Sequence, residues 1–404
     1  MSQPKPDYRA KYYFFNVIKV CCIFFVFFFH ATKVFDSEEW HIKNPETLDI
    51  GSFFLLNVGM AVMPVFFLVS GATVWFSLQK RSVAVFVMNL FKRFLLPLAF
   101  GVTILAWPQV YLERVNHGLY EGTVWSFFPL YFQGYYGMGG NFAFLGLHLW
   151  YLAFLFGFSL ILMPYFYFGL KNFKKPFFTK LTGSPFFILF LALLTAFPAW
   201  KLHSNSLIGA RIWGGWNFLE HFLFFAAGFA LFSNDQFINK ISKYRWKLLL
   251  TAVALTVLVL FWKFDSFQPK FRSNYFTFQV IVKSLTTWIW MCAMVGIGYK
   301  HLNRKSKKVD YLSDAVLPFY ILNQPVMILI AFYAVHWNID MFSKFMIISA
   351  GSLVITMGLY ELIKNIEPVR WILGTPPKES VSKLTRIVRR KAKPAKPLQE
   401  PAKV

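Results

Sequence analysis

Apolar runs of about 20 residues recur along the whole of this chain, and nothing else in it limits the fold as strongly. A helix rises 1.5 Å per residue, so a run of that length crosses the hydrocarbon of a bilayer. Ten such runs can be marked, at roughly 12–32, 52–78, 84–107, 145–169, 184–201, 212–233, 246–264, 275–299, 313–334 and 341–364. They imply an all-α integral membrane protein with about ten transmembrane helices. Composition agrees: 57% of the 404 residues are hydrophobic, 51 are Phe, and only 15% are charged. A soluble chain of that make-up would expose large apolar patches.

The formal net charge of +24 could point to nucleic acid, but its placement does not. Nucleic-acid binders gather Lys and Arg on a folded polar face, whereas here the cations lie between apolar runs. Cys21, Cys22 and Cys292 sit inside such runs, with neither zinc spacing nor a disulfide framework. The first run is too long for the apolar region of a signal peptide and no small-residue cleavage site follows it, so it is expected to be a true span.

Charge also orients the chain. With the N-terminus in the cytoplasm, the inside loops are "QKRS" (79–82), "KNFKKPFFTK" (171–180), "SNDQFINKISKYRWK" (233–247) and "YKHLNRKSKKVD" (299–310), all rich in Lys and Arg. Most of the outside segments are poorer in cations. An even number of spans then returns the C-terminus to the cytoplasm, where residues 376–404 carry nine Lys or Arg against Glu379 and Glu400. The expected organisation is a cytoplasmic segment 1–11, a membrane domain 12–375 and a basic, Pro-interrupted tail 376–404 attracted to anionic lipid. No internal repeat of the kind built into inverted-repeat transporters is evident.

Ionisable groups inside spans are costly and mark functional candidates. "VIKVCCIFFVFFFHA" (17–31) holds two, Lys19 and His30. Eleven residues separate them by about 16 Å along a helix, on similar sides of it. They form a polar stripe through the bilayer, or else Lys19 snorkels to one interface while His30 wets the other.

The same segment resembles the opening motif of the acyltransferase-3 superfamily, multispanning enzymes that O-acylate carbohydrates. There an Arg precedes a His by eleven positions, and Lys19 and His30 occupy these places. Five further segments match in order: "FFLVSG" (66–71), "FKRFLLPL" (91–98), "HLWYL" (148–152), "LSDAVLPFYILNQPVMIL" (312–329) and "YELIKNIEPVRWILG" (360–374). The motif order is most similar to the glucan-biosynthesis protein C branch, which succinylates periplasmic glucans. Asn16 stands where the family usually has an acid, Lys19 lacks the planar fork of Arg, and Asn323 stands where the family often has a titratable His.

The resemblance implies transfer of an acyl group, succinyl or acetyl, from cytoplasmic acyl-CoA to a hydroxyl of a glycan outside, with no tightly bound cofactor and no metal. His30 is then the expected general base, with an orienting partner that the sequence does not name. Lys19 and Arg93 are the expected cations for the donor's phosphates, while Lys92 could equally be an inside anchor. His148 with Trp150 is a candidate for positioning the acceptor. "RIWGGWNFLEHF" (211–222) contributes Arg211, Glu220 and His221. The last two point about 100° apart and could as well pack the bundle through interhelical hydrogen bonds. Ser70–Gly71 reads as close helix packing, Asn323–Gln324–Pro325 as a kink with polar groups turned inward, and the aromatic loop 116–141 as a cover that touches glycan. Two other functions stay in play: a transporter or flippase using the polar stripe as its path, and a silent scaffold of a glycan-synthesis assembly. The short-looped, Phe-rich style suits a bacterial inner membrane.

Overall fold

Apolar runs become helices throughout. The computed structural model describes residues 12–49, 51, 59–263 and 270–375, the side chains of 261–263 excepted. The expected N-terminal segment 1–11 and basic tail 376–404 lie outside the described residues. The described residues are 73% helical, with no strand among them. The helices are α1 (Phe14–Lys33), α2 (Val62–Leu78), α3 (Val83–Asn116), α4 (Val124–Tyr131), α5 (Leu147–Ile161), α6 (Met163–Asn172), α7 (Pro176–Thr182), α8 (Pro185–Lys201), α9 (Phe218–Leu231), α10 (Asp235–Lys263), α11 (Asn274–His301), α12 (Lys307–Ala334), α13 (Met341–Ile363) and α14 (Glu367–Ile372).

Among the described residues, five helices are long and apolar enough to cross a membrane: α1, α3, α11, α12 and α13. The pairs α5–α6 and α7–α8 bend by 60° and 73°, and taking each pair as one span gives seven. The ten expected spans are therefore not reached by length and composition. α2 and α9 have only 17 and 14 residues, and Pro164, Pro176 and Pro185 sit in the first turns of α6, α7 and α8, where the chain breaks direction.

Several expected boundaries move, among them the start of α10, at Asp235 rather than 246, and two that bear on the site. The third helix does not end at 107 but continues to Asn116. Gln109 and Glu113 lower its apolar signal there, yet both side chains are buried. The sixth helix begins at Phe218, because Gly214 and Gly215 adopt left-handed φ and the preceding loop closes through a Trp213–Trp216 bridge.

The main core is an aromatic-rich mass in which α12 packs between α1 and α13, and α2 lies against α9; smaller clusters form around Val110 and Phe127 and around Ala196 and Val280. The α2–α9 crossing is backbone to backbone: a Cβ on Gly71 would fall 1.9 Å from the Phe225 carbonyl oxygen, and one on Gly228 would fall 1.9 Å from that of Leu68. Small residues permit such an approach between membrane helices. That is the packing expected of Gly71.

Candidate active site

Polar side chains converge near the His30 end of α1 from five separate elements. The loop after α1 is held first. Asp36, fully buried, meets Lys33 Nζ at 2.6 Å and Lys43 Nζ at 2.8 Å, and Lys43 also donates to the Lys33 carbonyl at 2.7 Å. Lys344 on α13 reaches Asn44 at 3.2 Å. A buried carboxylate with two cations and a pinned backbone fixes this loop, and with it Trp40 and His41. The Trp40 ring lies 6.3 Å from the His30 ring and 5.2 Å from that of His41.

His41 Nδ1 hydrogen-bonds Glu113 of α3. Glu113 also accepts from the Tyr136 hydroxyl at 2.7 Å and from Arg114 at 3.2 Å. Arg114 anchors the loop before α5 through Asn141 and the Gly140 carbonyl, at 2.9 and 3.0 Å. Burial, followed by the neighbouring Glu113 carboxylate, holds the Tyr136 phenol above its ordinary range, so it remains a donor. On the other side of His41, Gln324 Nε2 faces His41 Nε2 at 3.2 Å and Gln109 Oε1 at 3.3 Å.

His148 reaches the same region by a strained turn. Gly146 and Leu147 both take left-handed φ, 70° and 56°, before the short 3-10 turn that carries His148. A non-glycine residue there costs about 1 kcal/mol, so the turn is held by its surroundings. His148 Nε2–H donates to the Tyr320 carbonyl at 3.0 Å, and the Tyr320 hydroxyl donates to the His148 carbonyl. Asn323 gives both amide hydrogens to carbonyls, of Phe319 at 2.8 Å and of Tyr320 at 2.9 Å. Pro318 and Pro325 lie inside α12, and Asn323 and Gln324 are both buried, the inward-turned pair expected there.

Three buried atoms in this region have no hydrogen-bond partner among the described residues: His30 Nδ1, His148 Nδ1 and Asn323 Oδ1. The bonds already made leave His148 Nδ1 and Asn323 Oδ1 as bare acceptors. His30, His41 and His148 lie in electrostatic range of one another. Orphaned buried acceptors are costly and suit a ligand rich in hydroxyl or N–H donors. No group of three or more His, Cys, Asp or Glu side chains among the described residues is arranged for a metal.

Toward the other end of α1, Lys19 and Arg93 lie within electrostatic range of each other. Neither makes an ion pair or hydrogen bond among the described residues, although Arg81, Tyr151 and Asp314 lie in electrostatic range of Arg93. Arg93 sits on a π-helical turn, Phe91–Leu95, a local rewinding common at functional sites. Lys92 turns instead onto the Trp371 ring, 4.9 Å away. Two like charges in electrostatic range of each other, with no carboxylate bonded to either, suit a bound anion.

The remaining expected residues gather elsewhere. Glu220 closes a capping box with Asn217, accepting from its backbone N–H at 2.7 Å, while Asn217 Oδ1 accepts from Glu220 N–H at 3.0 Å. His221 bonds the Trp213 carbonyl at 2.9 Å, with its ring 4.5 Å from Phe67 and 5.4 Å from Trp150. Arg211 donates to the Ala199 carbonyl at 2.7 Å and covers the Phe276 ring.

Sequence reasoning missed His41, Gln109, Glu113 and Tyr136. One signal was present: Gln109 and Glu113 are four residues apart at the end of an apolar run, and so share a helix face.

A bundle of apolar helices enclosing a polar centre with three neighbouring imidazoles marks a multi-pass membrane protein. The chain belongs to the acyltransferase-3 family, whose acyltransferase domain matches residues 12–361, and it is an O-acyltransferase. No curated protein and no solved structure matches it.

Proposed function

We propose that this enzyme moves an acyl group, succinyl or acetyl, from acyl-CoA on the cytoplasmic side to a hydroxyl of a glycan on the other side of a bacterial inner membrane. The observation that carries the reading is the division of α1. At one end Lys19 and Arg93, within electrostatic range of each other and bonded to no carboxylate among the described residues, form a cationic pair suited to the donor's phosphates. At the other end His30 offers a buried, unbonded Nδ1 beside two bare acceptors that suit a polyhydroxyl ligand. His30 is the acid–base imidazole of this reading, and His148 and Asn323 position the acceptor. Trp150, Arg211, Glu220 and His221 brace the bundle away from this centre.

The positive-inside bias of the loops supports ten membrane passages with both termini in the cytoplasm, counting α2, α9 and α10 as spans. That orientation sets the Lys19 end toward the acyl-CoA supply. The order of motifs supports a periplasmic glucan as acceptor, and the co-substrate is acyl-CoA without a resident cofactor or metal.

Mass spectrometry of surface and periplasmic glycans tests this in an intact strain, a deletion strain, and the deletion complemented with His30→Ala. The expected result is an acyl mass lost on deletion and not restored by the variant at normal membrane abundance. Identical glycans in intact and deleted strains would remove the reading, and restoration by the variant would remove His30 from the chemistry.

A further inference from the structure

The proton on His41 can be placed by following the hydrogen bonds from a fixed end. The Leu105 carbonyl can only accept, so Gln109 turns Nε2 toward it, at 2.7 Å. Gln109 Oε1 is then the acceptor for Gln324 Nε2, at 3.3 Å. Gln324 therefore presents an amide N–H to His41 Nε2 at 3.2 Å, and that nitrogen must carry the lone pair. The ring proton sits on Nδ1, where Glu113 accepts it. Tyr136 and Arg114 donate to the same carboxylate, at 2.7 and 3.2 Å, and keep it in place.

This is the arrangement of a general base. A carboxylate fixes the tautomer and orientation of an imidazole, and stabilises the imidazolium that forms when the far nitrogen takes a proton. The far nitrogen of His41 is covered only by a neutral amide at 3.2 Å, a weak bond that a hydroxyl can replace. Gln324 immediately precedes Pro325, which lacks the N–H that would bond back along α12, so the helix is loosened at this point. His30, in contrast, has no carboxylate bonded to it among the described residues, and its Nδ1 has no partner there at all.

We infer that His41 is a second catalytic imidazole, the base that takes the proton of the acceptor hydroxyl, with Glu113 and Tyr136 as its positioning residues. The inference rests on the transfer proposed above, from an acyl thioester to an alcohol. The acceptor O–H bond breaks, its proton goes to His41 Nε2, and the oxygen electron pair forms the new C–O bond at the thioester carbonyl. Collapse of the intermediate breaks the C–S bond and sulfur leaves with that pair. The proton held on His41 then returns to sulfur as the thiol.

The test uses the full chain in membrane vesicles, with acetyl-CoA and succinyl-CoA as donors and the cell's own glycan fraction as acceptor, the acyl mass being followed over time. His41→Gln keeps an amide at the position but cannot act as a base. It is expected to lower kcat about 100-fold or more, with the donor KM within about twofold of the parent. His41→Ala is expected to regain part of its rate when free imidazole is added, which a structural role does not allow. Glu113→Asp keeps the charge and is expected to retain more activity than Glu113→Gln. This pair decides the matter if the His41 variants fail to accumulate, and equal rates for the two overturn the inference. Parent-like kcat in His41→Gln together with loss in His30→Ala also overturns it and leaves His30 as sole base, with the acyltransferase reading intact. No transfer from either donor by the parent protein removes that reading and the inference with it.

Discussion

Two buried histidines in this protein have a glutamate close by, and they use it in opposite ways. Glu220 and His221 are neighbours in the chain, but successive helical residues point about 100° apart, and each side chain turns to the backbone: Glu220 to Asn217, His221 to the Trp213 carbonyl. They hold the start of α9 and the loop before it. His41 and Glu113 are 72 residues apart, come from a loop and a long helix, and bond to each other. The first pair builds a helix end and leaves His221 Nδ1, among the rings of Phe67, Trp150 and Phe154, without a partner in the described residues, whereas the second fixes an imidazole whose far nitrogen meets only the Gln324 amide. A buried polar pair acquires chemistry when distant elements bring it together and its remaining valence faces other open groups, as His41 faces the region of His30 and His148.

The largest expected effect falls on that side of the comparison. His30→Ala removes an imidazole whose Nδ1 has no structural bond to lose, so the protein should fold and reach the membrane normally. Transfer should drop by about 100-fold or more, read as acyl mass on glycan per unit of membrane protein. Activity within threefold of the parent would break the assignment of this end of α1 to chemistry.

On the scaffold side the largest effect should come from Gly228→Val. The added Cβ would fall 1.9 Å from the Leu68 carbonyl oxygen, so α9 must move off α2. Overpacking of this kind costs about 3 kcal/mol, and the backbone here cannot yield as a side chain would. The expected result is a strongly reduced amount of folded protein, with any remainder keeping its kcat. Parent-like thermal unfolding would show that α2 and α9 do not meet backbone to backbone.

The helix order was legible because burial in lipid demands long apolar runs, and that demand leaves a mark on every residue of a span. The site was legible only where a residue breaks such a run. Lys19 and His30 stand out inside α1, Asn323 and Gln324 inside α12, and Arg93 at the start of an apolar stretch. His41 breaks nothing. It lies in a mixed-charge loop, and its importance comes from Glu113, which itself seemed to belong to a loop because inward-facing polar groups hide the last turns of α3. The break between α5 and α6 escaped for the opposite reason, since both halves of that pair are apolar and hydropathy carries no direction.

The cationic pair should show an intermediate effect and sharpen the contrast between the two ends of α1. Lys19→Gln and Arg93→Gln each remove one of two unbonded neighbouring cations. If these hold the donor's phosphates, each should raise the acyl-CoA KM about tenfold, the worth of one charge-assisted hydrogen bond. The effect of kcat on this comparison should be small, and the KM for the glycan should not move. A rise in the acceptor KM instead would place the acceptor, rather than the donor, against Lys19.

The smallest effect tests the scaffold pair itself. Asn217→Ala removes the side-chain half of the capping box at the start of α9, where Asn217 Oδ1 accepts from the Glu220 N–H at 3.0 Å. Loss of an N-cap of this kind costs about 1 kcal/mol. Thermal unfolding in detergent should register it as a shift of a few degrees, while kcat and both KM values remain those of the parent. Glu220→Gln should behave in the same way, because a neutral amide oxygen can still accept from the Asn217 backbone N–H. A fall in kcat beyond about fivefold in either variant, at normal abundance, would give the Glu220–His221 pair a share of the chemistry and close the gap between it and His41–Glu113.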